Sequence, residues 1–349
     1  MKILKLLLYP FAALYNLITR VRNYLYDIGH KPSFEFETPV IAVGNLNVGG
    51  SGKTPMVEYL IGLLANRYRV ATLSRGYKRE TKGYRLAQEQ DTARSLGDEP
   101  FQLFRKFGDR VKVVVGEDRV FAIPNILQEF PDTDVILLDD ALQHRSVKPQ
   151  LSILVTEFSH PFYKDFVLPF GRLREARRGA VRSDIIVVTK CSEKLSTEEE
   201  RKITHSIQHY TGVKPVFFST IQYGEPLALG SEPSLSRNIV LVSGLAKSQS
   251  LEAYCSQHFR ILRHFDFDDH HGYLEGDLKE IEDFCKTQAE PYSIITTEKD
   301  MVKLIEPNLR PYLDRLPWFY VPIRQVFLQN GLKFDELVLR SVVNTAGIK

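Results

Sequence analysis

A glycine-rich segment that ends in lysine and threonine carries the clearest chemical signal in the chain. Residues 44–55 have the sequence GNLNVGGSGKTP and directly follow an apolar run at 39–43. A buried strand, a glycine-rich turn and a helix N-terminus, in that order, surround the phosphates of a nucleoside triphosphate with backbone N–H groups. We therefore predict that Lys53 contacts the β- and γ-phosphate oxygens and that the hydroxyl of Thr54 ligates Mg²⁺.

The segment departs from the usual G-x-x-x-x-G-K-[ST] pattern because Asn47 occupies the position of the first glycine. Asparagine is the residue other than glycine that most readily adopts positive φ, so the turn tolerates it. The alternative is a simple glycine-rich turn without a ligand. The predicted phosphate-binding residues are Asn47, Val48, Gly49, Gly50, Ser51, Gly52, Lys53 and Thr54.

Two consecutive aspartates, Asp139 and Asp140, follow an apolar run at 135–138. A carboxylate at the end of a buried strand beside a phosphate loop positions Mg²⁺ against the phosphates. Thr54, Asp139 and Asp140 are therefore the predicted metal ligands, with Asp139 preferred because it lies nearer the strand. The alternative is an aspartate that caps the following turn. Just beyond the pair, the segment 143–144 (Gln-His) is expected to line the same cleft.

Three further polar segments allow more than one interpretation. Asp98 and Glu99 precede a predicted helix at 101–107, and on composition alone they act as helix caps, because acids favour helix N-termini. The segment 267–273, FDDHHGY, could form a metal site, an Asp–His general base or a solvated turn. The arginine-rich segment 172–179, like Arg75 and Arg119 near strand ends, could bind phosphate or form a solvated charged surface.

Composition narrows the class of protein. A chain of 349 residues suggests about two domains, and a net charge of +3 is too small to indicate a nucleic-acid partner. Three widely spaced cysteines without a C-x-x-C motif fit free thiols in a reducing cytosol rather than a disulfide framework or a zinc site.

The N-terminal segment 3–28 has apolar residues at helical spacing and basic residues largely off that stripe. It is too interrupted for a comfortable membrane span and lacks the cleavage site of a signal peptide. A basic amphipathic helix in the membrane interface is one interpretation, and a helix packed on its own domain is the other.

The remaining pattern indicates an α/β fold. Apolar strands predicted at 70–73, 111–115, 134–138, 151–155 and 184–188 alternate with helical stretches, as in a P-loop NTPase-like parallel sheet with helices on both faces. Ligands bind such sheets at the carboxyl ends of the strands. A loop-rich stretch at 222–237 precedes a second α/β unit with strands near 238–243, 292–296 and 318–321. The predicted division is an N-terminal amphipathic helix at 1–30, a P-loop core at 31–222 and a smaller C-terminal domain at 223–349.

These motifs together resemble the tetraacyldisaccharide 4'-kinase family, the lipid A 4'-kinases of Gram-negative bacteria. The resemblance runs from about residue 38 to about residue 304 and covers the glycine-rich loop, Asn47 included. The other matching segments are SRGY at 74–77, GDEP at 97–100, DD and LQH within 139–144, LP through RE within 168–175, SGLA at 243–246, F-x-DH at 267–270 and TEKD at 297–300.

The resemblance implies ATP-dependent phosphorylation of the 4'-hydroxyl of a tetraacylated glucosamine disaccharide 1-phosphate, with Mg²⁺ as cofactor. The site would lie in the cleft between the two domains, with Asp98 as the base and His270 as its partner. Lys53 and Asp139 complete the predicted catalytic group. The predicted substrate-binding residues are Arg75, Glu99, Arg119, Gln143 and Arg174. The enzyme would work, as a monomer, in peripheral or monotopic contact with the cytoplasmic face of the inner membrane.

Two other functions remain open on the sequence. A P-loop NTPase coupled to transport or assembly would hydrolyse ATP without a lipid acceptor. A nucleotide-sensing module would bind ATP without turnover, and its acidic and histidine clusters would tolerate mutation.

Overall fold

Two β-sheets organise the chain in a computed structural model that describes residues 8–230 and 234–346. Within these residues, the larger sheet has nine strands: β1 (Val40–Gly44), β2 (Val70–Ser74), β3 (Arg85–Leu86), β4 (Val111–Val115), β5 (Val135–Leu138), β6 (Leu151–Glu157), β7 (Ile185–Thr189), β8 (Val216–Tyr223) and β14 (Ile323–Phe327). The smaller sheet contains β9 (Leu227–Ala228), β10 (Asn238–Ser243), β11 (Arg260–Asp266), β12 (Ser293–Thr297) and β13 (Trp318–Val321).

Helices connect and cover these strands. In the described part of the chain they are α1 (Tyr9–Asp27), α2 (Lys53–Leu64), α3 (Ala93–Leu96), α4 (Asp98–Phe107), α5 (Arg119–Glu129), α6 (Thr197–Thr211), α7 (Gln249–His258), α8 (Glu275–Lys286), α9 (Glu298–Leu304), α10 (Arg310–Leu313) and α11 (Gly331–Ala346). Two 3₁₀ segments lie at Phe162–Lys164 and Arg177–Arg182.

The larger sheet has the order β14-β8-β7-β6-β1-β5-β2-β4-β3, and only its edge strands β14 and β3 pair antiparallel. All of β1 is buried, and alternate residues point to opposite cores. Ile41 and Val43 pack in the core that contains α2, whereas Val40 and Ala42 pack in the core that contains α5. A sheet covered on both faces explains the near-continuous apolar strands and confirms the predicted α/β fold.

The end of the chain corrects the predicted division into domains. Although the sequence assigned 223–349 to the C-terminal unit, β14 pairs with β8 in the larger sheet. Helix α11 likewise buries Phe334, Val338 and Val342 in the core of the larger sheet. The smaller domain is therefore an insertion between β8 and β14, which the strand pattern alone did not indicate. Strands β3, β8, β9, β11 and β14 were not predicted.

Helix α1 presents an apolar face to solvent. Phe11, Leu14, Ile18 and Val21 are each about half exposed or more, with the helical spacing that the sequence indicated. Tyr15, Arg22 and Asn23 of the helix make polar contacts with the larger domain, so the helix packs on its own domain while its apolar stripe remains outside. Every helix within 8–230 and 234–346 is too short or too polar to cross a bilayer. The predicted stripe and basic residues at 2–7 lie outside the described residues.

An ionic cluster of two buried glutamates and one partly exposed lysine joins three helices at the boundary between the sheets. The ammonium of Lys106 on α4 lies 2.8 Å from Glu58 on α2 and 2.8 Å from Glu298 on α9. Gln102 also donates to Glu58, at 2.8 Å. Burial, reinforced by Glu298 and opposed by Lys106, raises the pKa of Glu58 to about 7. Ionising this carboxylate therefore costs stability in the folded state.

The cluster predicts a specific pH dependence of stability. Because the folded-state pKa of Glu58 lies above its unfolded value, folding is favoured by protonation, and this contribution is lost as pH rises from about 4.5 to about 7. Glu58→Gln should therefore gain stability relative to wild type across this window, by up to about 3 kcal/mol. Thermal unfolding at about pH 5 and about pH 8 measures the difference. Glu193→Gln, at an exposed position, is the control, and parallel pH profiles for wild type and Glu58→Gln would contradict the prediction.

Candidate active site

The phosphate loop lies between the end of β1 and the start of α2. Its positive φ angles fall on Gly49, at 104°, and on Gly52, at 87°, among the residues described, and not on Asn47. Gly52, in the left-handed conformation, directly precedes α2, which begins at Lys53. The Asn47 amide instead donates to Asp165 Oδ2 at 2.9 Å, so it fastens the loop to a neighbouring segment.

Strand β7 fixes the carbonyl groups of the phosphate loop. The Thr189 hydroxyl donates to the Ser51 carbonyl at 2.7 Å, and the Lys190 ammonium donates to the Gly50 carbonyl at 2.6 Å. Because these carbonyl groups are bound to Thr189 and Lys190, the N–H groups on the opposite side of the peptide units are left for an anion, as in other anion-binding backbone turns. The loop is thus preorganised by a strand that is distant in sequence.

Asp140 and Asn45 gather two cations at the phosphate loop. Arg174 binds Asp140 through two parallel hydrogen bonds of 2.9 and 2.7 Å, and Lys53 lies 3.5 Å from the same carboxylate. Both cations also contact the side-chain oxygen of the fully buried Asn45. Burial alone would raise the pKa of Asp140, but Lys53 and Arg174 outweigh it and hold that pKa well below its usual range. Asp140 is therefore a permanent anion.

The pKa of Asp139 is shifted in the opposite direction from that of Asp140. Burial raises its pKa to about 7; Lys53 opposes this shift, whereas Asp140 and Glu99 reinforce it. Its Oδ1 atom is buried and has no hydrogen-bond partner among the described residues. A buried, unpartnered carboxylate oxygen at the end of β5, one strand from the phosphate loop, fits a hard cation such as Mg²⁺. The predicted ligand set Thr54, Asp139 and Asp140 is thus chemically compatible with the metal.

A buried guanidinium faces the aspartate pair. Arg119 is 1% exposed, and only its Nη1 atom is satisfied within the described structure, by the carbonyls of Gly116 and Glu117. Burial lowers the pKa of Arg119 to about 10, against the favourable charges of Asp139 and Asp140. It remains a cation at neutral pH, and its buried Nε and Nη2 donors have no partner within the described residues.

His144 stays neutral beside these charges. Burial and the positive charge of Arg119 lower its pKa to about 4, with Asp140 opposing. A neutral His144 adds no charge to the site, so the net charge there depends on the arginines and the aspartate pair.

Asp98 meets His270 across the boundary between the two sheets. Asp98 Oδ2 lies 3.2 Å from His270 Nδ1, and both side chains are about one-fifth exposed. Asp98 is the first residue of α4, after Gly97 at φ 95°, so its carboxylate lies at a helix N-terminus but contacts the histidine. Glu99, the next residue, is close enough to Asp139 to influence its charge. The acid–histidine pair thus borders the predicted metal site.

The segment 267–273 does not gather its acids and histidines into one metal site. Within the described residues, no group of three or more His, Cys, Asp or Glu side chains could hold a metal ion. His271 pairs with Asp277 at 2.8 Å, whereas His270 pairs with Asp98. Each histidine therefore has a partner of its own, which removes the metal interpretation of this segment.

Gln143 and Arg75 occupy different parts of the site. Gln143 donates to the Asn45 carbonyl at 2.9 Å and to Glu175 at 3.0 Å, so it supports the phosphate loop. Arg75 is exposed and lines a surface cavity of about 630 Å³. The cavity is lined by Arg75, Gly76, Tyr77, Lys78, Arg79, Thr81, Lys82 and Glu117. Its predominantly positive lining suits an anionic group.

Sequence reasoning missed several residues of this site. Asn45 was predicted only as part of the glycine-rich loop, yet its side-chain oxygen contacts Lys53 and Arg174. Glu175, which is 3% exposed, joins Gln143 to Arg182 and to Asn23 of α1. The signal for Asn45 was its place directly after a buried strand. Glu175 gave no local signal, because its partners are distant in sequence.

The class of protein follows from the acid–histidine pair. Many nucleotide-binding proteins have a phosphate loop, but a carboxylate hydrogen-bonded to histidine beside such a loop is suited to deprotonating an acceptor hydroxyl. The fold and the site together define a P-loop kinase.

Comparisons with known proteins identify the family. The family model of tetraacyldisaccharide-1-P 4'-kinase (LpxK) matches residues 4–342. The chain is 42% identical to the tetraacyldisaccharide 4'-kinase of Flavobacterium psychrophilum and 40% identical to that of Cytophaga hutchinsonii. These alignments cover 98% of this chain in both cases, and 98% and 95% of the relatives, respectively. The chain belongs to the tetraacyldisaccharide-1-P 4'-kinase family.

A solved structure supports the same assignment. LpxK from Aquifex aeolicus, crystallised in complex with ATP, superposes with a TM-score of 0.76 at 30% sequence identity. The match covers 97% of this chain and 99% of that protein. The resemblance drawn from the motifs is therefore confirmed over nearly the whole chain.

Proposed function

We propose that this chain transfers the γ-phosphoryl group of ATP to the 4'-hydroxyl of tetraacyldisaccharide 1-phosphate, forming lipid IVA in lipid A biosynthesis. The observation that carries the proposal is the 3.2 Å contact between Asp98 and His270 beside the phosphate loop. A hydrolase would need to position only water, whereas this pair is presented from two different domains. Such an arrangement suits a large acceptor that enters between them.

The proposed reaction is a single displacement at the γ-phosphorus of ATP. The carboxylate of Asp98 accepts the proton of the 4'-hydroxyl, and the alkoxide oxygen forms a bond to the γ-phosphorus. The bond from that phosphorus to the bridging oxygen breaks, and ADP leaves. His270 orients Asp98 through the observed hydrogen bond.

Thr54, Asp139 and Asp140 would hold Mg²⁺, whose charge would neutralise the phosphate oxygens. The unpartnered Oδ1 of Asp139 supports this proposal. Lys53 would contact the β- and γ-phosphates beside it.

The contacts suggest a role for each arginine. Arg174, bound to Asp140 and Asn45, would act on the nucleotide side of the site. Arg119, buried with two free donor atoms in the described structure, would stabilise the transferred phosphoryl group. Arg75, at the basic cavity, would bind the 1-phosphate of the acceptor. Glu99 and Gln143 would support the substrate and the loop, respectively.

Removing the proposed base tests the reaction. Asp98→Asn keeps the shape of the side chain but cannot accept a proton, so kcat should fall by at least about 100-fold. Thin-layer chromatography of labelled lipid product measures it. Asp109→Asn, at an exposed position, is the matched control. Near-normal turnover by Asp98→Asn would refute the role of Asp98. Hydrolysis of ATP that is independent of lipid in the wild-type protein would instead favour an NTPase coupled to transport or assembly.

The roles proposed for the arginines predict that different variants raise KM for the lipid and KM for ATP. Arg75→Met should raise KM for the lipid about tenfold and leave KM for ATP unchanged, because one lost charge-assisted contact costs about 1.4 kcal/mol. Arg174→Met should raise KM for ATP instead. Arg178→Met, at an exposed position of the same segment as Arg174, serves as the control. Equal effects of Arg75→Met on both Michaelis constants would contradict the assignment.

We further propose that α1 rests on the cytoplasmic face of the inner membrane, with the chain as a monomer. The supporting feature is its apolar stripe of Phe11, Leu14, Ile18 and Val21, which faces solvent. Tyr9 extends this surface by an edge-to-face contact with Phe170, whose ring packs on the 55% exposed Phe166. Burying such a surface at the acyl boundary is favourable by about 25 cal/mol per Å².

Polar substitutions on the stripe test membrane contact. Phe11→Ser combined with Leu14→Ser and Ile18→Ser should abolish flotation with vesicles that contain anionic lipid, while folding is unaffected because these side chains are exposed. The control pair Val213→Ser and Leu332→Ser removes exposed apolar groups outside α1. Unchanged flotation of the triple variant would mean that the stripe does not bind membranes.

A further inference from the structure

A lysine of the smaller domain lies on the opposite side of His270 from Asp98. Lys299 Nζ is 3.3 Å from His270 Nε2, while Nδ1 of the same ring faces Asp98 at 3.2 Å. Lys299 is also bound to Asp269 Oδ1 at 2.8 Å. Four charged or titratable groups therefore form one chain from α4 to α9, and the proposed reaction uses only the first two.

The chemistry of an ammonium group determines the direction of these hydrogen bonds. Ammonium has donors and no acceptor, so His270 Nε2 must accept from Lys299 and carries no proton. The proton of the neutral ring then lies on Nδ1, where it is donated to Asp98. The Asp269 carboxylate is 3.9 Å from Nε2, beyond hydrogen-bond reach, and the Tyr77 ring completes the surroundings with an edge-to-face contact at 6.0 Å.

Helix α9 holds Lys299 rigidly in this position. Asp300, the next residue, accepts from the backbone of Gly244 at 2.9 Å and from the Thr297 hydroxyl at 2.7 Å. One turn further along, Lys303 donates to the His271 carbonyl at 2.9 Å. Thus one face of α9 binds both the ring of His270 and the backbone beside it. This second bond also supports His270 in the left-handed conformation, with φ at 59°, which is strained for a residue other than glycine.

We propose that Lys299 is a positioning residue that holds His270 in the Nδ1–H tautomer. In this state the imidazole donates to Asp98 and cannot itself act as the base, so Asp98 receives the proton of the acceptor hydroxyl. The tautomer follows from the contacts alone, whereas its consequence for turnover rests on the proposed kinase reaction.

The tautomer can be measured directly on the full chain. With ¹⁵N-labelled histidine, the ring nitrogens of His270 are assigned among the nine histidines by their loss in His270→Gln. The wild type should show a protonated Nδ1 and an unprotonated Nε2. Lys299→Met should let Nε2 take up a proton, because no ammonium then donates to it, whereas Lys299→Arg, which also only donates, should keep Nε2 unprotonated. A protonated Nε2 in the wild type, or an Nε2 that stays unprotonated in Lys299→Met, would overturn the proposal.

Kinetics tests the consequence separately. Lys299→Met should lower kcat about tenfold or more with KM for ATP unchanged, and Lys299→Arg should restore most of the rate. Lys279→Met removes an exposed lysine of α8 and should leave kcat unaffected. Normal kcat in Lys299→Met would overturn its role in positioning. If the wild type phosphorylates no lipid, the proposed function fails, and the NMR result still decides the tautomer.

Discussion

The two-fold hydrogen bond between Arg174 and Asp140 is the interaction on which the rest of the site depends. Asp140 follows β5 and adopts a left-handed backbone, with φ at 50°, so that its carboxylate turns towards Arg174 and Lys53. The backbone of Arg174 is held in turn, because its carbonyl accepts from the Tyr15 hydroxyl of α1 at 2.8 Å. Glu175 continues the connection to Asn23. Helix α1 and the phosphate loop are thus joined by one network of polar contacts.

The pKa values of Asp139 and Asp140 are shifted in opposite directions because the two side chains have different partners. Asp140 is ionised by two cations, whereas Asp139 points into a buried space where its Oδ1 has no partner within the described residues. Burial therefore dominates the pKa of Asp139, which rises to about 7. A pair of identical residues in the sequence gives one permanent anion that organises the loop and one carboxylate suited to a metal.

Local patterns predicted the parts of the site that depend on neighbouring residues. The glycine-rich loop and the aspartate pair could be located because each follows an apolar strand, and the resemblance implied the pairing of Asp98 with His270. Glu175 and Lys299 could not be assigned, because most of their partners lie far away in the sequence, whereas Asn45 was overlooked although it directly follows a buried strand. The return of β14 and α11 to the larger sheet was missed for the same reason: two sheets of similar apolar strands give no sequence signal for which sheet a strand joins.

Three helices present residues of the candidate site in their first turns, and one ionic cluster joins these helices. Helix α2 begins at Lys53, α4 at Asp98, and the first turn of α9 carries Lys299. Further along α2 and α4, Glu58 and Lys106 meet Glu298 of α9. A displacement of α9 relative to α4 would separate Lys106 from a nearly buried carboxylate, which costs several kcal/mol when the charge stays unpaired. The cluster therefore resists displacements that would pull His270 away from Asp98, so the alignment of the acid–histidine pair depends on contacts outside the cleft.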